Sequence, residues 1–243
     1  MENTRFAELF ERGRDALLSG DVPHQEPPLE GGGRWGLTVI LRPDSSVARR
    51  MERVTAEAMA VAGDSHWPTG ASISSHFTIR TLEHYRPNLP KDDERVMRYQ
   101  AALRQASDRV GAIRLELTGL TLTPASIMLC ASPSDHTVER FAGYLAEELA
   151  DDAWFEAGFD RDIWYSNLVH FTGLPEDSQA LVEWVAARRS LDLGSSVHTS
   201  ADLVAWTFND RQMVPATLGR AELSGPRGSQ VAVVDQDSNE KCG

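Results

Sequence analysis

Two histidines of this chain stand in the same three-residue context, His76-Phe77-Thr78 and His170-Phe171-Thr172. With 7 His and 14 Thr in 243 residues, roughly 0.4 His-x-Thr tripeptides are expected by chance, so an identical pair is informative. An unperturbed imidazole titrates near pH 6.5 and serves as either acid or base at neutral pH. One such ring would take a proton from an attacking hydroxyl while the other gives one to a leaving oxygen. In a strand, alternate side chains share a face, so His76 goes with Thr78 and His170 with Thr172, while Phe77 and Phe171 point into the core. The two hydroxyls would then donate to non-bridging phosphate oxygens as charge builds.

The elements that must position these residues are legible as periodicity. Residues 35–41 read as a strand, and Val47, Met51, Val54, Ala58 and Val61 mark one face of a helix. A strand over 71–80 and a helix with Val96, Tyr99, Leu103 and Val110 inward follow, then a strand over 113–117. The series then restarts with a strand over 126–130, a helix through Val138, Phe141, Leu145 and Leu149, and a strand over 163–172. A helix at Leu181, Trp184 and Val185, a strand over 197–208 and a last strand over 216–223 complete it. Corresponding elements are offset by roughly 85 to 95 residues, an internal repeat. The expected architecture is two similar α+β lobes about a pseudo-twofold axis, with equivalent strands and their histidines facing one another.

In domain terms, residues 1–33 read as an appended amphipathic helix, with Phe6, Leu9, Phe10, Leu17 and Leu18 on one side, followed by a Pro/Gly-rich linker. Residues 34–224 form the bilobal domain and 225–243 a loosely ordered tail. The triplet Gly31-Gly32-Gly33 precedes a strand and lacks a following Gly-Lys-Ser/Thr, so it reads as linker rather than a phosphate loop. No stretch approaches the ~20 apolar residues of a membrane span, and residues 1–20 lack a signal-peptide core. Only Cys130 and Cys242 are present, too few for a disulfide framework or cysteine zinc cluster. A cytoplasmic location is expected.

The sequence resembles the 2H phosphoesterase superfamily, which includes RNA 2′,3′-cyclic phosphodiesterases, also called 2′-5′ RNA ligases. The resemblance rests on His76-Phe77-Thr78-Ile79 and His170-Phe171-Thr172-Gly173, and on the order of elements over 34–223. It implies antiparallel sheets facing a central cleft with helices outside, His76 and His170 as catalytic residues, and Thr78 and Thr172 as phosphate donors. The two-histidine acid-base chemistry itself requires no metal, and no cofactor is expected. Two features depart from the family pattern: Gly173 replaces an apolar residue, and the N-terminal extension lies outside the common core.

Other residues carry weaker readings. Arg80 shares the His76 face by alternation and would clamp phosphate, or it is a solvated charge at a strand end. In an unbulged strand Trp164, Ser166 and Leu168 would share the His170 face, with Tyr165 opposite. Core packing is the favoured role for Trp164 and Tyr165, and base stacking the rival. His198, in His198-Thr199-Ser200, imitates the motif at a different repeat position and reads as structural. His24, His66, His84 and His136 show no metal-ligand spacing. The acidic groups at Asp92-Asp93-Glu94 and Asp151-Asp152 read as a helix start and a loop.

The net charge of −12 disfavours a long polyanion, which binds mainly through many Lys and Arg contacts. A small phosphodiester or nucleotide escapes that objection. The reading is therefore a metal-independent phosphodiesterase acting on a 2′,3′-cyclic phosphate or related small nucleotide diester. An RNA-end enzyme of the ligase type and a catalytically idle nucleotide-binding module are the alternatives. No membrane partner is expected, and a monomer is favoured.

Overall fold

The computed structural model describes residues 4–90, 92–159 and 161–225. The tail expected beyond residue 225, with Val231–Val234 and Cys242, lies outside the described residues. The elements in chain order are α1 (Thr4–Ser19), β1 (Thr38–Leu41), α2 (Ser45–Ala62), β2 (Phe77–Thr81), α3 (Glu94–Ser107), β3 (Ile113–Thr123) and β4 (Ser126–Pro133). They continue with α4 (Thr137–Leu149), a 3-10 helix (Ala150–Glu156), β5 (Trp164–His170), α5 (Ser178–Ala186), β6 (Ser195–His198), β7 (Ser200–Phe208) and β8 (Met213–Glu222).

Among the described residues all strand pairs are antiparallel and form two four-stranded sheets, ordered β2-β1-β7-β8 and β5-β4-β3-β6. The repeat is visible in this order, since β2 and β5 occupy equivalent edges with β1 and β4 as their inner neighbours. The third strands are exchanged: β3 follows the first series yet lies in the second sheet, and β7 returns from the second series to the first. This exchange keeps the two sheets on one core. Val39 and Leu41 of β1, Phe77 and Ile79 of β2, Leu129 of β4 and Phe171 after β5 share a single apolar cluster with α2, α3, α4 and α5.

The helices begin where the sequence supplies caps. Asp44 accepts from the amides of Ser46 and Val47 at 2.7 and 3.0 Å, Asp93 from Val96 at 3.0 Å, and Asp177 from Ala180 at 2.8 Å, each satisfying orphan donors of a first turn. The acidic group at 92–94 is thus a helix start, as expected. Asp152 of the other acidic pair is held by Arg98 at 2.7 Å.

The N-terminal helix is not a loose appendage. Phe6 and Leu9 of α1 pack on Met128 and Cys130 of β4, Phe10 and Leu17 join the main core, and the Phe6 carbonyl accepts from Thr121 Oγ1 at 2.8 Å. From α1 the chain runs as a strap past the end of β5 to the segment after β2. Gln25 N donates to the Phe171 carbonyl at 3.2 Å, and residues 31 and 32 exchange backbone bonds with Tyr85 at 2.9 Å. The strap enters β1 through Gly36, where a Cβ would stand 1.6 Å from the Glu83 carbonyl oxygen, so only glycine fits.

Candidate active site

One face of the first sheet packs on the core. On the other, Ile40, Val204 and Trp206 form an apolar floor together with Trp67 and Tyr85 from flanking loops, with Trp35 against it. A cleft of about 180 Å³ opens over this floor, lined by Arg34, Trp35, Thr38, His76, Thr78, Thr81, Asn167, His170 and Trp206. The two motif histidines therefore meet in one place. Their rings sit at opposite ends of a row of tilted and edge-on contacts, with His76 4.7 Å from Trp206, Trp206 5.1 Å from Trp35, and Trp35 5.3 Å from His170 between ring centroids.

Each imidazole is fixed through Nδ1. His76 Nδ1 lies 2.7 Å from the Ser74 carbonyl, which only accepts, so Nδ1 carries the hydrogen and Nε2 is left for chemistry. His170 Nδ1 lies 2.6 Å from Thr69 Oγ1, whose hydroxyl also reaches the Trp67 carbonyl at 3.3 Å. Trp67 and His170 further exchange two backbone bonds of 3.0 Å, tying the 63–76 loop to the end of β5. Burial pushes both rings well below the ordinary imidazole range. His76 falls to about 4, helped by the Arg42 charge and opposed by the Ser74 carbonyl. His170 falls to about 3, lowered further by the charges of Arg34 and His76. At pH 7 both rings are neutral, and the unperturbed value expected from sequence is replaced by a strongly depressed one.

The remaining motif residues divide. Phe77 and Phe171 are fully buried in the core, and Thr78 lines the cleft beside His76. Thr172 does not join it. The strand ends at His170, and Thr172 turns toward the 63–76 loop, where its amide donates to His66 Nδ1 at 3.2 Å and its hydroxyl to the Ser65 carbonyl at 3.0 Å. The alternation expected through residue 172 fails because no strand continues past residue 170.

Arg80 is likewise turned away. The β1–β2 register skips a residue at Ile79, and this bulge moves the next cleft-facing position to Thr81. The Arg80 guanidinium instead donates to the Ala153 carbonyl at 3.0 Å. A second bulge at Leu168 in β5 has the same effect there. Trp164 and Leu168 go to the core and Ser166 is buried, while Asn167 faces the cleft and Tyr165 a neighbouring chamber of about 400 Å³. The alternation that holds for an unbulged strand breaks here, and Trp164 packs in the core as expected.

His198 is structural, as expected: it is buried, and Nδ1 donates to the Arg42 carbonyl at 2.9 Å. Trp35, Thr38, Asn167 and Arg34, which line the cleft, and Thr69, which contacts His170 Nδ1, belong to no motif in the sequence. Thr69 sits in a loop just ahead of the segment read as strand, and Arg34 follows a glycine run read as linker. Among the described residues no three His, Cys, Asp or Glu side chains converge as a metal site, and no helix is long and apolar enough to cross a membrane.

The sequence matches no family model and no curated protein. Solved structures do match the fold. TT0787 of Thermus thermophilus superposes with a TM-score of 0.60 at 14% identity, over 78% of this chain and 98% of that one. E. coli LigT complexed with 3′-AMP gives 0.55 at 14% identity, and a phosphoesterase 0.54 at 13%, both over the same shares of the chains. The chain has the bilobal α+β fold of the 2H phosphoesterases, which its paired His-Phe-Thr motifs led one to expect.

Proposed function

We propose that this chain is a metal-independent phosphodiesterase that opens a 2′,3′-cyclic phosphate or a related small nucleotide diester by two-histidine acid-base catalysis. The observation that carries the reading is the convergence of His76 and His170, from equivalent edges of two sheets, on one cleft that also holds Thr78. Each ring is anchored at Nδ1, which leaves Nε2 of each as the nitrogen that exchanges protons with a bound phosphodiester. Thr78 donates to a non-bridging oxygen as negative charge grows.

The electrostatics favour one assignment of roles. At His76 the Ser74 carbonyl favours an imidazolium and the Arg42 charge opposes one, whereas at His170 the charges of Arg34 and His76 both oppose one. The anionic phosphodiester then raises the His76 pKa on binding, so His76 gives its proton to the leaving oxygen and neutral His170 takes one from water.

A small nucleotide fits the surroundings. The cleft continues past Thr78 and Thr81 into the chamber lined by Phe155, Phe159, Tyr165 and Arg161, where a base would find aromatic faces. LigT, which shares the fold, has been solved with 3′-AMP, and the net charge of −12 argues for a short substrate. The test is a panel of 2′,3′-cyclic nucleotides, linear dinucleotides and RNA ends, with and without EDTA. Turnover of a cyclic nucleotide that survives EDTA is expected. No turnover of any diester, or loss in EDTA restored by zinc or manganese, overturns the reading.

A further inference from the structure

We propose that Arg34, carried on the N-terminal strap, supplies the phosphate-binding group on the His170 side of the cleft, the place the second motif leaves empty by turning Thr172 away. The inference rests on the proposed phosphodiesterase reading and names the ligand group of that same site.

Three observations carry it. First, Thr172 is committed elsewhere, with both its amide and its hydroxyl engaged by residues 65 and 66. Second, the strap is built into the second motif. Gln25 N donates to the Phe171 carbonyl, and the strap's His24 lies against Gly173, where an added Cβ would stand 3.2 Å from His24 Cε1. An apolar residue at 173 would press on this contact, so the departure from the family pattern at Gly173 and the presence of the strap belong together.

Third, the strap delivers a guanidinium to the cleft. Arg34 lines it together with His76, Thr78 and His170, and its Nη1 donates to Gln25 Oε1. Its charge is felt at the His170 ring. The next residue, Trp35, sits at a φ of 65°, in the left-handed region a bulky side chain rarely enters. That turn lays the Trp35 ring edge-on to His170 and leaves the exposed Arg34 at the mouth of the cleft. One N–H of the planar fork goes to Gln25, and those that remain can hold two oxygens of one phosphate.

The test compares Arg34→Ala, Arg34→Lys, Gln25→Ala and Thr172→Ala in the full chain. It measures kcat and KM on a 2′,3′-cyclic nucleotide and, by calorimetry, the affinity for inorganic phosphate. Arg34→Ala is expected to weaken phosphate binding and raise KM about 10- to 100-fold, with an unchanged melting temperature because the side chain is exposed. Arg34→Lys should recover only part of this, since an ammonium keeps the charge and loses the fork. Gln25→Ala should give a smaller loss in the same direction, and Thr172→Ala should leave phosphate affinity within about threefold. Unchanged phosphate affinity in Arg34→Ala, or a wild-type chain that binds no phosphate at millimolar concentration, overturns the proposal. The phosphate measurement stands apart from turnover. A chain that binds phosphate through Arg34 yet cleaves no diester would sink the phosphodiesterase reading and leave the anion site in place.

Discussion

The same tripeptide occupies 76–78 and 170–172, and the fold treats the first two residues of each copy alike and the third differently. Both histidines reach one cleft, and both phenyl rings are fully buried. Thr78 continues into β2 and lines the cleft, whereas β5 ends at His170 and Thr172 is drawn into the 63–76 loop. The difference comes from what surrounds each copy. Residues 77–81 pair with β1 on one side, while residue 171 is tied to Ala125, to the strap and, through its neighbours, to residues 65–67. An internal repeat thus fixes where side chains can point only as far as the strand pairing is also repeated.

The comparison is broken most severely at the histidines. His76→Ala and His170→Ala should each lower kcat by about 10²- to 10⁴-fold, the usual contribution of a positioned acid or base. The double variant should lose little more than the worse single one, because the two act in one transfer. Near-normal turnover in either single variant would make that copy of the motif architectural.

At the phenylalanines the copies should behave alike. Phe77→Ala and Phe171→Ala each remove a ring from the shared core and should cost about 3–5 kcal/mol of stability. Denaturant melts showing one of them below about 1 kcal/mol would mean that its surroundings collapse to fill the space.

At the threonines the copies should part. Thr78→Ala removes a donor to phosphate and should lower kcat/KM by about tenfold to a few hundredfold with little change in melting temperature. Thr172→Ala removes a hydrogen bond to a carbonyl and should cost about 1 kcal/mol of stability with little effect on kcat. Equal kinetic losses in the two would restore the symmetry that the structure denies.

Much of this was legible beforehand. The alternation of strands and helices, the two histidines, their buried phenylalanines and the structural role of His198 follow from periodicity and repetition, but the run read as one strand over 197–208 is two, β6 in one sheet and β7 in the other. The losses have specific causes. Bulges at Ile79 and Leu168 shift alternation by one residue and leave no mark in residue type, which misplaced Arg80 and hid Asn167. The region 71–76 has strand-like composition but folds as part of a loop bound to β5. The exchange of β3 and β7 between sheets depends on long-range pairing that no local pattern encodes. The Gly31–Gly33 run reads as a linker, and in the fold its last glycine and the arginine that follows line the cleft.

Acidification should have two effects, and they oppose each other. His76, His170 and His198 have folded pKa values of about 4, about 3 and about 4, chiefly because burial disfavours the charged ring. In the unfolded chain each takes up a proton near 6.5. Their contribution to stability is therefore complete above pH 6.5 and is lost as pH falls from 6.5 toward 4 and 3, where the unfolded state binds protons that the folded state refuses. The buried Asp202 and the helix-capping Asp44 and Asp93, held below the ordinary carboxylate value by hydrogen bonds and arginines, lose their contribution only below about pH 4, as carboxylates do when protonated. The melting temperature should thus decline between pH 6.5 and 4 in wild type, with a shallower slope in His76→Gln and in His170→Gln. kcat/KM should instead rise on acidification from pH 8 toward 5, since the free enzyme needs one protonated ring and holds both neutral at pH 7. A kcat/KM profile that peaks near pH 7 with an acid limb above 6 would mean that the motif histidines titrate as exposed imidazoles, and the buried tandem of rings over Trp35 and Trp206 would not describe the working site.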